Sequence, residues 1–269
     1  MSIPERELVN LAEVKKSFQE GKKGGSFHFI ALDSPHFNYQ WHESFEPPYE
    51  DYDEPAVFKA YPNADDILRV KNRYLNAVSF VDVQVADFIE ALKAAGRYEN
   101  ALLIVTGDHG EEFYEHGSWF HCSSLEAEQT AVPLFIKWPD GFEAPKQVSA
   151  SHLDVLPTLL DYFGEADESY AHLPGRSLLK LSENEPTEIT LTSLCGIAGV
   201  PMVWARAGYK ASFQWEAAWN NEFPDEIYLD DLEGPEGYLD FRGKEEWEAA
   251  LWKYFPDVKE RIFKELKRK

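Results

Sequence analysis

The chain has 269 residues, of which 44% are hydrophobic, and a formal net charge of −22 at pH 7. This length and apolar content suffice to bury a sizeable core, as one large domain or two small ones. So acidic a chain will not be drawn to nucleic acid or to an anionic membrane surface, and the simplest interpretation of the charge is a solvated surface.

Cysteine usage and hydropathy restrict the class of protein further. The two cysteines, Cys122 and Cys195, cannot form a disulfide framework, which fits a reducing compartment. Residues 1–20 are mixed and charged and lack the apolar run of a signal peptide. No stretch approaches the roughly 18 to 20 apolar residues that a membrane span needs. We therefore expect a soluble chain without a membrane span, cytoplasmic by default.

The N-terminal part of the chain predicts a helix, a strand and a long loop. A short helix within residues 1–25 is followed by an apolar run of strand length at 26–32. Residues 37–62 are aromatic, acidic and rich in proline, which is typical of a loop. Loops of this length in compact domains are often functional.

The clearest helix is predicted over residues 64–95. Asn63 is placed to cap its N-terminus and Gly96 to end it. Apolar residues recur along it at spacings of three and four, which predicts one continuous apolar stripe. The stripe consists of Ile67, Val70, Tyr74, Val78, Val81, Val85, Phe88 and Leu92.

Strands and a further helix follow this helix. The run Leu-Leu-Ile-Val-Thr at 102–106 has the short, β-branched pattern of a buried strand, and 132–138 predicts another strand. Ser151 begins a helix that carries several leucines. Strand, helix and strand in this order favour a crossover unit in a mainly parallel sheet.

Beyond Gly175 the pattern changes to short strands separated by turns. A turn at Gly208 predicts that the two middle strands form a hairpin. Two closing helices are expected near 244–254 and 257–268. The four strands are predicted at 189–194, 202–207, 209–215 and 227–232.

The strongest chemical signal is Thr-Gly-Asp-His-Gly-Glu-Glu at 106–112, directly after a buried strand. Ligands in open α/β sheets gather at the carboxyl ends of strands. The flanking glycines let the backbone turn sharply, so that the side chains of Asp108 and His109 can converge. A carboxylate oxygen and an imidazole nitrogen suit Zn²⁺ or Mn²⁺. The alternative is an Asx-type turn beside a solvent-exposed histidine.

A second histidine, His121, lies twelve residues after His109 in the same acidic segment. A loop that returns to the strand end would bring His121 to the metal or to its substrate. The alternative is an ordinary surface histidine. The acidic and imidazole groups of the segment are Glu111, Glu112, Glu115, His116 and His121.

Four ordered segments resemble the sulfatase family of the alkaline phosphatase superfamily. They are LDSPH at 32–36, TGDHGEEFYEHGSWFHCSSLEAEQTAVPLFIKWP at 106–139, SHLDVLPTLLDYFG at 151–164 and PGRSLL at 174–179. The resemblance implies an α/β sandwich with a mainly parallel sheet flanked by helices and a small C-terminal antiparallel sheet. Residues 1–180 would be the C-terminal portion of the catalytic domain, and 181–269 its small sheet and closing helices.

The resemblance also implies roles for individual residues. Asp108 and His109 match metal ligands, while His36 and His121 match positions that contact the substrate phosphate or a second metal. The Asp-His pair, and the lack of a lysine in 121–133, resemble envelope sulfatase-like proteins and lipid phosphotransferases. That branch implies Mn²⁺ or Zn²⁺ rather than Ca²⁺. We expect all four side chains to surround one polar pocket, with His36 within about 15 Å of Asp108.

The chain does not contain the family's Cys-x-Pro-x-Arg nucleophile motif. The expectation is that the N-terminal part of the domain is missing, together with the residue for covalent catalysis. Three functions stay open: a metal-dependent hydrolase or transferase of sulfate or phosphate esters, a catalytically dead binding module, or one chain of a split enzyme whose second chain carries the missing half. The family is often found in the cell envelope, although this chain shows no signal peptide.

Overall fold

The computed structural model describes residues 1–19, 25–145, 150–181, 188–192, 200–206, 209–215, 227–234, 237–238, 246, 249–250 and 253–255. By its contacts the chain divides into two units, Met1–Phe120 with Phe135–Phe142 and His121–Leu134 with Glu143–Lys269. The expected boundary at residue 180 separates two parts of one catalytic domain, and it stays a prediction.

The first unit begins with helix α1, Ile3–Ser17, as predicted. The Ser2 side chain accepts a hydrogen bond from the backbone of Glu5, whose own carboxylate accepts one from Ser2, so that two of the first N–H groups are satisfied. Leu11 packs in a cluster with Phe88 and Leu92 of the next helix. Burial of this apolar face fixes α1 against that helix.

Helix α2, Ala64–Ala94, confirms the long helix and its Asn63 cap, which is part of a capping box with Asp66. Val70, Phe88 and Leu92 of the predicted stripe are buried. The middle of the stripe differs from the prediction, because Ala77 and Phe80 are buried there while Val78 and Val81 are only partly covered. Among the described residues, no helix combines the length and hydropathy that crossing a membrane requires.

The buried face of α2 also includes polar residues that hydrogen-bond to the backbone of the loop at 37–62. Arg73 donates from Nε to the carbonyl of Asn38 at 2.9 Å and from a terminal nitrogen to the carbonyl of Asp53 at 3.0 Å. The Asn76 amide accepts from the N–H of Tyr49 and donates to its carbonyl, both at 2.9 Å. The loop contains no helix or strand, as predicted. Part of its backbone hydrogen-bonds to side chains of α2 instead.

The segment 26–32 is not a strand, which corrects the prediction. Its backbone is extended, with Ile30 and Leu32 packed against the α1–α2 cluster, while Phe27 and Phe29 are 82% and 85% exposed. The period-two pattern therefore identified an extended segment with one packed face. A strand also needs a neighbouring chain to complete its hydrogen bonds, and periodicity carries no information on that neighbour.

Four short strands follow α2 in the chain: β1 Leu103–Thr106, β2 Glu112–Phe113, β3 Trp119–Phe120 and β4 Leu134–Lys137. β1 and β4 confirm the two predicted strands and are hydrogen-bonded neighbours in one sheet. β2 and β3 form an antiparallel hairpin in which Glu112 pairs with Phe120 and Phe113 with Trp119. A single helical turn, α3 Ala127–Thr130, precedes β4. The Asp-His motif thus lies between β1 and the hairpin.

The second unit contains α4, His152–Tyr162, capped by Ser151 as predicted, and the short α5, Asp167–Tyr170. Backbone N–H groups of the segment after α5 donate hydrogen bonds to side chains of α4. The N–H of Arg176 donates to the Asp154 carboxylate and the N–H of Leu178 to the Thr158 hydroxyl, both at 2.8 Å. Gly175 lies so close to α4 that a Cβ there would be 1.9 Å from the carbonyl oxygen of Leu153.

Five further strands follow α5: β5 Glu188–Thr192, β6 Val200–Arg206, β7 Tyr209–Trp215, β8 Ile227–Gly234 and β9 Gly237–Tyr238. They form an antiparallel sheet in the order β5-β6-β7-β8-β9, which confirms the predicted C-terminal sheet. The predicted hairpin joins β6 and β7, with Arg206 paired to Tyr209. Residues 246, 249–250 and 253–254 are helical, and the predicted helix at 257–268 lies outside the described residues.

The hydrogen bonds of α2 to the loop predict the effect of Asn76→Ala on stability. The change leaves the N–H and carbonyl of Tyr49 without their amide partner in a site where Asn76 is fully buried. We expect the free energy of unfolding, measured by urea denaturation, to fall by about 2 kcal/mol or more. Asn72→Ala is the matched control, because Asn72 makes one hydrogen bond, to Asp51, in an exposed setting. Equal losses in both variants would contradict the role of Asn76.

Close packing of Gly175 against α4 predicts that Gly175→Ala is poorly tolerated. Either the segment or the first turn of α4 must move to admit the methyl group, at a cost of about 1 to 3 kcal/mol. Gly25→Ala is the control, because a Cβ at Gly25 meets nothing within 4 Å. Thermal and urea unfolding of both variants measure the difference, and the prediction is wrong if the two behave alike.

Candidate metal centre

His109 lies in the turn that leaves β1 and presents one defined nitrogen. Its Nδ1 is 2.9 Å from the carbonyl oxygen of Gly110, so Nδ1–H donates there and Nε2 is the nitrogen suited to bind a metal. The Asp108 carboxylate is 3.7 Å from Nε2 and its other oxygen accepts the N–H of His109 at 3.1 Å. The side chains are 33% exposed for His109 and 92% for Asp108. The two predicted ligands therefore lie together, with a hydrogen bond from the backbone N–H of His109 to the carboxylate of Asp108.

A three-residue group of ligand atoms includes His109. His109, Glu111 and His121 each offer one ligand atom, and these three atoms lie within 4.8 Å of one another. Among the described residues, they form the candidate metal-binding group. Chain geometry explains how Glu111 and His121 meet: Glu111 precedes β2, His121 follows β3, and the last pair of the hairpin joins Glu112 to Phe120. Two imidazole nitrogens and a carboxylate oxygen fit Zn²⁺ or Mn²⁺.

Glu111 receives a hydrogen bond from a buried phenol. Tyr39 is fully buried and its hydroxyl donates to Oε1 of Glu111 at 3.1 Å. Burial, and after it the charge of Glu111, raises the pKa of Tyr39 far above its ordinary value of 10.0. Burial followed by Glu111 also raises the pKa of Tyr74. Both phenols therefore stay protonated near neutral pH, and Tyr39 acts as a donor to the carboxylate.

A buried carboxylate shapes the hairpin beside this group. Glu112 is fully buried, and its Oε1 accepts the N–H groups of His116 and Ser118, both at 3.0 Å. These two bonds satisfy the turn that reverses the chain between β2 and β3. Glu112 thus fixes the turn of the hairpin, while Glu111 and His121 extend from its open end.

The loop that carries His36 is attached to the same hairpin. The ring of Phe37 lies 4.8 Å from that of Phe120, edge to face, and Tyr39 contacts Glu111. His36 itself is exposed, with Nδ1 3.1 Å from the carbonyl oxygen of Phe37. The neighbours of His36 therefore contact the hairpin, and the substrate-facing role of His36 stays a prediction.

A carboxylate of α1 anchors the turn before His36. Glu7 is buried and accepts hydrogen bonds from the N–H groups of Asp33 and Ser34 and from the Ser34 hydroxyl, the Ser34 N–H at 2.7 Å. Sequence reasoning missed Glu7, Tyr39 and the ligand position of Glu111. For Glu7 a signal existed, because it lies four residues before Leu11 on the packed face of α1.

Comparison with known proteins agrees with this fold. The structure is superposable on a phosphonate monoester hydrolase from Silicibacter pomeroyi with a TM-score of 0.53 at 22% identity, covering 77% of this chain and 43% of that one. This likeness establishes the predicted α/β fold of alkaline-phosphatase-like enzymes. Residues 10–165 match the Sulfatase family model, so the chain belongs to the sulfatase family.

Curated relatives match a limited part of their own length. The chain is 28% identical over 192 residues to the N-acetylglucosamine-6-O-sulfatase of Bacteroides thetaiotaomicron, covering 71% of this chain and 31% of that protein. It is 28% identical over 172 residues to the choline-sulfatase of Rhizobium meliloti, covering 63% and 32%. The chain thus spans about a third of the length of these relatives. The family assignment is confirmed, and the closer likeness to envelope phosphotransferases stays a prediction.

The raised pKa of Tyr39 predicts how stability changes at alkaline pH. A phenol whose pKa is higher in the folded chain contributes stability that is present below the unfolded value of about 10 and is lost as the pH rises above it. We expect Tyr39→Phe to lose less stability than the wild type between pH 9 and pH 11, by up to about 1.4 kcal/mol per pH unit. Urea midpoints at each pH measure the slopes. Parallel curves for Tyr39→Phe and the wild type would contradict the prediction.

Proposed function

We propose that this chain carries the metal-binding part of a sulfatase-type centre that cleaves or transfers sulfate or phosphate esters with Zn²⁺ or Mn²⁺. The observation that carries the proposal is the convergence of ligand atoms of His109, Glu111 and His121. Two curated relatives are named as sulfatases, and a protein of the same fold is a phosphonate monoester hydrolase. Sulfate esters are therefore the favoured substrates, with phosphorus esters as the second class.

The proposed ligand set explains the choice of metal. Ca²⁺ takes six to eight oxygen ligands, whereas two of the three donors here are imidazole nitrogens. Zn²⁺ and Mn²⁺ accept such a mixed set. The Asp108 carboxylate, next to Nε2 of His109, is a fourth candidate ligand. When bound, the metal would supply positive charge that stabilises the negative charge gathered on the ester oxygens during displacement.

The histidines are assigned different tasks in this proposal. His109 binds the metal through Nε2, with its tautomer fixed by the Gly110 carbonyl. His121 belongs to the ligand set because its ligand atom lies in the same group. His36 contacts the anionic part of the ester from the neighbouring loop, where it is exposed, and donates a proton or a hydrogen bond to the substrate.

The covalent nucleophile is proposed to come from sequence that this chain does not contain, either in a longer protein or in a second chain. The reason is that Cys122 and Cys195 both lack the Cys-x-Pro-x-Arg context. A covalent nucleophile divides one difficult displacement into two easier steps, and its loss typically removes several orders of magnitude of rate. The same observation favours a second candidate function, a binding module that retains the metal and the anion site without turnover.

Metal titration tests the proposal directly. We expect the purified chain to bind Zn²⁺ or Mn²⁺ more tightly than Ca²⁺ in calorimetry. His109→Ala and Glu111→Gln should each weaken binding by more than about tenfold. His172→Ala is the control, because His172 is an exposed histidine outside the proposed site. Equal affinity in all of these variants would show that the metal binds elsewhere or not at all.

Activity assays of the same preparations separate the two candidate functions. We expect little or no turnover of chromogenic aryl sulfates, phosphate monoesters and phosphate diesters by the chain alone. Robust turnover that disappears in Asp108→Ala would show that the chain contains its own nucleophile. Saturable binding of inorganic sulfate that depends on the metal, without turnover, would favour the binding module.

A further inference from the structure

We propose that Tyr39 is a positioning residue that holds the Glu111 carboxylate in its metal-binding orientation. The inference rests on the proposed function, in which Glu111 is a metal ligand. It assigns a task to a residue 72 positions away in the sequence, on the loop that also carries His36.

The contact joins a fixed donor to a carboxylate. The Tyr39 hydroxyl donates to Oε1 of Glu111 at 3.1 Å, slightly longer than the roughly 2.5 to 3.0 Å that is usual for O–H···O hydrogen bonds. The last torsion of a glutamate side chain is broad, so that an unconstrained carboxylate samples many orientations. A donor fixed on Oε1 sets the plane of the carboxylate and with it the direction of Oε2. The metal would then meet an oxygen that is already oriented.

The Tyr39 ring is rigidly packed, which is what a positioning residue requires. It has no exposed surface and belongs to a cluster with Val70, Ala77 and Phe113. The ring of Tyr74 lies 5.4 Å away, edge to face. A side chain enclosed in this way keeps its rotamer, and the position of its hydroxyl therefore follows from the core of the first unit.

The backbone at Tyr39 shows a second constraint. Its φ of +53° lies in the left-handed region, which is unfavourable for a residue with a Cβ. Such residues persist where the surroundings determine the conformation, and they cluster at functional sites. Here the Tyr39 N–H donates to the His36 carbonyl at 2.7 Å, and the Gln40 N–H to the Ser34 carbonyl at 2.9 Å. The strained turn directs the Tyr39 side chain into the core towards Glu111.

Residues that hydrogen-bond to metal ligands tune the affinity of a site. Removing such a partner typically costs 10- to 100-fold in metal affinity or activity. Tyr39 fits that role by geometry, since it contacts the proposed ligand and is fully buried. This contact also connects the segment that carries His36 to the proposed metal ligands. One hydrogen bond therefore aligns the proposed substrate contact with the proposed metal site.

Tyr39→Phe tests the inference, because it removes the hydroxyl and keeps the ring. We expect the dissociation constant for Zn²⁺ in calorimetry to rise about 10- to 100-fold. We also expect the visible absorption of the Co²⁺-loaded chain to change, since the orientation of a ligand affects the metal's ligand field. Tyr74→Phe is the matched control: it changes the neighbouring ring in the same way and should leave both readouts close to the wild type.

The outcomes separate this inference from the proposed function. Unchanged affinity and an unchanged Co²⁺ spectrum in Tyr39→Phe, with weak binding in Glu111→Gln, overturn the inference alone. Wild-type affinity in Glu111→Gln overturns the ligand role and the inference with it. If Tyr39→Phe does not fold, the wild-type chain labelled with ¹³Cζ-tyrosine decides: the resonance of a buried tyrosine should shift on addition of Zn²⁺, and an unchanged spectrum at saturation overturns the inference.

Discussion

Buried polar side chains on two helices provide hydrogen-bond partners for a long loop that forms no ladder of its own. A backbone N–H or carbonyl group that is buried without a partner costs about as much free energy as a lost hydrogen bond. Glu7 on α1 binds the turn at Asp33 and Ser34, while Arg73 and Asn76 on α2 bind the backbone further along. These hydrogen bonds determine the path that the loop backbone follows. The positions of His36 and Tyr39 follow from that path.

The loop at 37–62 and the β2–β3 hairpin are held against each other by hydrogen bonds and aromatic contacts. Trp119 donates from its indole nitrogen to the carbonyl of Lys59, and the hydroxyl of Tyr114 donates to the carbonyl of Ala60, both at 2.8 Å. The rings of Phe58 and Phe120 lie 4.3 Å apart at the end of the hairpin. With Glu112 buried beneath the turn, the hairpin has little freedom to move apart from the loop. Two members of the candidate metal group, Glu111 and His121, flank this hairpin, which gives them a firm support.

Local signals in the sequence were sufficient for the longer helices α1, α2 and α4 and for most strands. The capping boxes at Ser2, Asn63 and Ser151 lie within four residues of the chain each, and the alternating strands of the C-terminal sheet are equally local. Prediction failed at 26–32, where pairing with a distant strand decides the outcome. It also assigned the whole face of α2 to an apolar stripe, because the partners of Arg73 and Asn76 lie 20 to 35 residues away. Residue type alone does not reveal such contacts.

The same distinction applies to the candidate site. Asp108 and His109 were recognisable because they are adjacent and follow a strand. Glu111 is one of several acidic residues in this segment, and nothing in the sequence distinguishes it from Glu112. The Glu112 carboxylate instead accepts hydrogen bonds from the backbone of the hairpin turn. Only the fold separates the two, by placing Tyr39 against one and the N–H groups of the turn against the other. A buried donor 72 residues away is a tertiary property, and a single sequence carries no signal for it.

Metal binding and turnover are separable properties in a site of this composition. A catalytic zinc site typically has three protein ligands and one open position, so that three donors such as His109, Glu111 and His121 suffice to hold the ion. In the proposed function the covalent step requires a nucleophile, and neither Cys122 nor Cys195 lies in a Cys-x-Pro-x-Arg context. We therefore propose that this chain, which spans about a third of the length of these curated relatives, binds the metal independently of the covalent step. This is why metal affinity, rather than ester hydrolysis, is the property that most directly reports whether the site has formed in this chain.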